Sequence, residues 1–232
     1  MMGQAGNQYR LFYSFNLDDH VPRDHLLRGI NRFLDLGGLR QHLVPFYSHT
    51  GRPSIDPELM VRMLVVGYCF GIRSERRLCE EVHLNLAYRW FCQLGLEDKI
   101  PDHSTFSKNR HGRFRQSETF RHVFEVVLRR CMSEGLVGGE GFAVDASIIK
   151  ADARDVARQI GKTDAFKQSG RQSKKVEMLF AHLKRILKLD QLRLRGLSGA
   201  QDEFLLAATA QNLGRLAKRL MPGNEQEGSI PA

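Results

Sequence analysis

Six apolar residues, Phe120, Val123, Phe124, Val127, Leu128 and Cys131, follow the spacing 0, 3, 4, 7, 8, 11 without a miss. That period is an α-helix with one continuous apolar stripe. Ser117 reads as its opening residue and Gly135 as its stop. A helix of this kind needs a second apolar face to cover its own. The sequence offers one in the segment from Pro57 to Gly71, where Met60, Met63, Leu64 and Tyr68 repeat at helical period behind Asp56 as N-cap and Pro57 in the first turn. The two helices are expected to pack on each other, with Phe124 in the core between them.

Other segments of the first 135 residues extend the helical pattern. Leu26, Leu27, Ile30, Phe33 and Leu34 form a shorter stripe that ends at Gly37-Gly38. Ser74 can cap a helix through Val82. Asn85 can cap another through Leu94, with Gly95 behind it. At Gly139 the texture changes. Gly141 to Ala151 is a short apolar run of strand type that contains Asp145, and 152–173 is polar without a period, as in a loop. Helical spacing returns at Val176, Leu179, Phe180, Leu183 and Leu187, breaks at Gly196 to Gly199, and returns again from Gln201 to Leu220. The tail from Pro222 reads as disordered.

Charge narrows the partners. The chain carries 35 Lys and Arg against 26 Asp and Glu, a net +9. From Ala165 to Leu220 there are 12 Lys and Arg against 4 Asp and Glu, so this third holds nearly all the excess. Such a balance favours a polyanion, most often nucleic acid. A second basic segment, His103 to Arg115, sets Lys108, Arg110, Arg113 and Arg115 beside Phe106 and Phe114 with no acid. It reads either as a DNA phosphate contact or as a solvated loop. His103 and His111 in the same segment lack a third ligand, so a metal pair is not suggested. The four cysteines form no C-x-x-C pair and lie in apolar helical segments, as buried free thiols in a reducing cytoplasm would. No apolar stretch approaches the roughly 20 residues of a membrane span.

Two acids remain. Asp145 ends an apolar run, where a carboxylate either starts a turn or binds a metal such as Mg²⁺. Glu177 stands at the edge of an apolar helical face, seven residues before Lys184. On their own both have ordinary readings.

Four ordered stretches taken together resemble the bacterial insertion-sequence DDE transposases with an InsH-type N-terminal domain. They are Gly51 to Leu64, Pro101 to Phe114, Val144 to Ala153, and Lys174 to Leu220. The resemblance implies a mainly α fold: a helical N-terminal DNA-binding region over 1–137, an incomplete RNase H-like α/β remnant over 138–221, and a tail over 222–232. It implies metal-dependent DNA cleavage and joining in transposition, with double-stranded DNA of the transposon terminal repeats as partner. Asp145 takes the place of the first catalytic acid and Glu177 that of the third, both as Mg²⁺ ligands. Lys184, with Arg185 beside it, takes the place of a phosphate-contacting base. An intact transposase or a second copy of the chain is a further partner, and the location implied is cytoplasmic, on the nucleoid.

The departure is one of length. Thirty-one residues separate Asp145 from Glu177. The strands and helices that an RNase H-like order places there need on the order of 65 residues, at about 5 per strand, 11 per helix and 4 per loop. The second catalytic Asp therefore has no strand to stand on, and the expected protein is a DNA-binding chain that is catalytically defective. A non-enzymatic regulator or competitor of an intact transposase is the alternative.

Overall fold

The computed structural model describes residues 15–48, 50–51, 54–136, 177–178, 181–189, 191–194 and 196–220. The strand expected around Asp145, the loop over 152–173 and the tail from Pro222 lie outside the described residues. Among the described residues every regular element is helical.

Capping chemistry places the helices much as the sequence requires. Helix α1 (Leu17–His20) starts at Asn16, whose side chain accepts from the Asp18 amide. Helix α2 (Leu26–Phe33) buries Leu27, Ile30 and Phe33. Helix α3 (Leu39–Leu43) follows from Gly38. Helix α4 (Pro57–Cys69) starts at Asp56, whose carboxylate accepts from the Glu58 and Leu59 amides, so two of the free N–H groups of the first turn are satisfied. It is buried from Met60 to Tyr68 with no solvent face, as befits a central helix. Ser74 caps α5 (Glu75–Leu84), and Asn85 caps α6 (Leu86–Phe91).

Helix α6 stops at Phe91 rather than at Leu94. Gln93, not Gly95, takes the left-handed conformation, at φ 58°. The cause is Arg89, whose buried guanidinium donates to the carbonyls of His83, Gly95, Leu96 and Asp98 and gathers the chain beneath the helix end. Helix α7 (His103–Asn109) runs into a π-helical turn at Arg110–Phe114. Ser117 does not open the next helix. Its hydroxyl donates back to the Arg113 carbonyl at 2.7 Å, closing the π-turn, and α8 (Thr119–Ser133) begins two residues later.

The last helix, α9 (Gly196–Leu220), reverses one expectation and corrects another. The glycines at 196–199 do not break it. Gly199 lies inside the helix, and a Cβ there would come within 2.7 Å of the Leu194 Cβ, so glycine is present for close approach. The partner expected for α8 also changes. Helix α8 packs chiefly on α9, which packs in turn on α2 and α4. Leu206, Ala207, Ala210, Leu213, Leu216 and Ala217 of α9 are buried in the cluster that holds Leu27, Met63, Phe120, Val123 and Val127. The small alanines let the axes approach closely, and each fully buried leucine contributes roughly 1.5–3 kcal/mol. Phe124 and Leu128, at the edge of the α8 stripe, are half-buried rather than central. The core is thus continuous across the boundary expected at residue 137.

The segment at 181–189 joins the same body. Leu187 and Leu189 are buried. Gly71, at φ 66°, lies where a Cβ would meet the Lys188 side chain and the Ile186 carbonyl at 3.1–3.3 Å, so the turn after α4 is the seat of this segment. The four cysteines are free. Burial pushes the thiols of Cys69 and Cys92 up to about 12 and, with nearby carboxylates, that of Cys79 up to about 11. No described helix is long and apolar enough to cross a membrane.

Candidate nucleic-acid interface

The basic segment 103–115 turns most of its charge inward. Asp102 caps α7 through the Ser104 amide at 2.9 Å. From that start Phe106, Asn109, Arg110 and Phe114 fall on one buried face. Arg110 is only 6% exposed and donates to the Glu75 carboxylate at 2.9 Å and to the Tyr68 hydroxyl at 3.0 Å. Burial opposes its charge, but Tyr68 and Glu75 more than offset that and hold its pKa above the ordinary value. The structure thus places Arg110, expected as a DNA contact, inside the helical body, where it ties α4, α5 and α7 together.

The neighbouring arginines are also engaged. Arg113 donates to Ser54 Oγ at 2.8 Å and to Asn109 Oδ1 at 3.1 Å, with its guanidinium 4.5 Å from the centre of the Tyr47 ring. Arg115 pairs with Asp202 of α9 at 3.0 Å. Lys108 is exposed, and no ion-pair partner lies within reach among the described residues. Lys184 and Arg185 are likewise exposed, in the helical stretch at 181–185, and Glu177 is exposed and helical. Asp145 lies outside the described residues, so its spacing from Glu177 is not part of the described geometry.

Two of the concave features among the described residues bear on these charges. One is a cavity of about 230 Å³ lined by Tyr68, Arg73, Glu75, Arg110, Leu194 and Glu203. Within it Arg73 and Glu203 pair at 2.6 Å, Arg73 stacks on the Tyr68 ring at 4.4 Å, and the second Glu203 oxygen accepts from the Arg193 and Leu194 amides. This network fixes the chain leading into α9. The other is a cleft of about 610 Å³ between α2–α3 and α8, with Arg32, Asp35, His122, Arg129 and Arg130 on its walls. His122 stacks on His42 with ring centres 4.4 Å apart.

Residues 15–112 match a family described as a transposase domain (DUF772). Residues 127–217 match a transposase DDE domain. The chain belongs to the insertion-sequence DDE transposases. The two matches follow one another along the chain in the order expected from its four sequence stretches. No solved structure matches the chain.

Transposases of this family generally use a divalent metal. Among the described residues no three His, Cys, Asp or Glu side chains gather in a way that would hold one. Of the expected ligand set only Glu177 is described, and it faces solvent. The sequence did not point to Arg73, Glu203, Arg32 or Arg129. An Arg between two helices and a Glu within a third carry no local signal, because only the packing of α9 brings their surroundings together.

Proposed function

We propose that this transposase-family chain binds double-stranded DNA at transposon terminal repeats and does not complete strand cleavage and joining. The observation that carries the reading is the interval of thirty-one residues between Asp145 and Glu177 in a chain that otherwise matches transposase domains from 15 to 112 and from 127 to 217. Asp145 and Glu177 are two of the three acids a two-metal site requires. Two-metal phosphoryl chemistry needs carboxylates around ions held roughly 3.5–4 Å apart, and a single exposed Glu on a helix does not set that spacing. Lys108, Lys184 and Arg185 are the exposed cations of the expected set, and they are proposed as phosphate contacts.

The binding half of the reading is supported by the core. Helix α9 closes the helical body that α2, α4 and α8 begin, so a shortened interval before Glu177 leaves that body whole. This favours the alternative form of the same proposal, in which the chain occupies transposon ends without catalysis and competes or pairs with an intact transposase on the nucleoid.

The test is a cleavage and joining assay on terminal-repeat DNA with Mg²⁺ or Mn²⁺, run beside a DNA-binding titration. Salt-sensitive binding without cleavage is the expected result. Cleavage abolished by Asp145→Ala would overturn the catalytic part. Absence of salt-sensitive DNA binding would overturn the rest.

A further inference from the structure

The cleft between α2–α3 and α8 has an unusual charge distribution. Its floor is apolar, with Phe33, Leu36, Leu39 and Val123 buried. Arg32 stands on the α2 wall and Arg129 on the α8 wall, both exposed, and no carboxylate lies within ion-pair distance of either among the described residues. Arg130 is already paired with Glu134 at 2.8 Å and lies over the Phe33 ring at 5.5 Å. Asp35, the one acid among the described lining residues, accepts from the Gly37 amide at 2.9 Å.

Two exposed guanidiniums without ion-pair partners among the described residues give the cleft a positive character that favours a polyanion. The planar fork of arginine matches phosphate oxygens in bidentate geometry. The arginines of 110–115 have internal partners, so the phosphate-facing cations of the helical body lie elsewhere. Helix α9 packs on both α2 and α8 and so sets the separation of the walls.

We propose that this cleft seats the sugar–phosphate backbone of double-stranded DNA, with Arg32 and Arg129 each neutralising one phosphate. The proposal rests on the DNA-binding reading above and adds a phosphate seat to the contacts at Lys108, Lys184 and Arg185.

The experiment is a titration of the full chain with terminal-repeat duplex over a range of salt concentrations. Each phosphate contact contributes about 0.9 to the slope of log affinity against log salt. Arg32→Ala/Arg129→Ala should therefore lower that slope by about 1.8 and weaken low-salt binding roughly tenfold, with an unchanged melting temperature. Arg32→Gln/Arg129→Gln gives a second reading of the same loss, and Arg32→Lys/Arg129→Lys should keep the slope. Arg23→Ala/Lys99→Ala, which removes equal charge outside the cleft, should leave it near wild type. If the wild-type chain binds DNA but the cleft variants keep its slope, or the control loses as much, the cleft is not the seat while the broader reading stands. If the wild-type chain shows no salt-dependent binding, both fall.

Discussion

Arg73 and Glu203 stand 130 positions apart in the sequence and meet at 2.6 Å, with 3% and 1% of their side chains exposed. Their pairing joins the turn after α4 to the first half of α9, and Glu203 reaches further to hold the amides of residues 193 and 194. A buried pair of this kind adds little net stability over an apolar pair, because both charges lose their water. Breaking it from one side is costly, because the other charge stays buried and alone.

Glu203→Ala should therefore destabilise the chain by about 3–5 kcal/mol. It strands the Arg73 guanidinium and frees two backbone donors. Glu203→Gln, which keeps the amide-facing oxygen, should cost less. Equilibrium denaturation of the two variants gives the comparison, and equal losses would show that the backbone contacts carry no weight.

The face of α8 that matters is the one turned to α9. Val127 is fully buried and Phe124 half-buried. Val127→Asp should unfold the helical body, since an unpaired charge in an apolar interior costs several kcal/mol. Phe124→Asp should be the milder change, with its carboxylate able to reach water. Leu213→Ala, on the facing helix, should cost about 2–5 kcal/mol. Thermal melts that rank Phe124→Asp as the worst of the three would reverse this assignment.

Arg110 and Lys108 lie two residues apart and should behave in opposite ways. Arg110→Ala leaves Glu75 and the Tyr68 hydroxyl without their partner in a buried setting and should lower stability by about 3 kcal/mol or more. Lys108→Ala should change stability by less than about 0.5 kcal/mol and weaken DNA binding across sequences. A stable Arg110→Ala chain with weakened DNA affinity would return Arg110 to the surface role expected from the sequence.

Stability should fall as the solution is acidified below pH 6.5. His122 has its pKa lowered from 6.5 by burial, by His42 and by Arg129; burial likewise lowers His25, His111 and His182. The unfolded chain thus takes up protons that the folded chain resists. The stabilisation is complete above pH 6.5 and is lost as pH falls from there through the lowered folded values. His122→Gln should flatten this part of the profile, measured as denaturation midpoint against pH, and an unchanged profile would remove His122 from the account.

Much of the helical framework was legible because its causes are local. Asp56 with Pro57, Ser74 and Asn85 announce their helices because a short polar side chain satisfies the first free amides wherever it stands. Apolar residues spaced three and four apart announce α4 and α8 because a helix repeats every 3.6 residues whatever lies against it. The family was legible in four ordered stretches, and the thirty-one-residue interval needs only counting.

Which faces meet is not local. The sequence shows that α8 has an apolar stripe but not that α9, some 70 residues on, covers it in preference to α4. The helix end at Gln93 was hidden because Arg89 gathers four carbonyls only once the chain has folded beneath it. Arg110 reads as a surface cation in the sequence and becomes an internal strut because Glu75 and Tyr68 arrive from other helices. The cleft of Arg32 and Arg129 exists only when α9 holds α2 and α8 at a fixed separation. Hydrogen-bond caps and periodicity act over a few residues and can be read from order alone; burial and charge pairing depend on which distant residues share a place, and that only the tertiary structure decides.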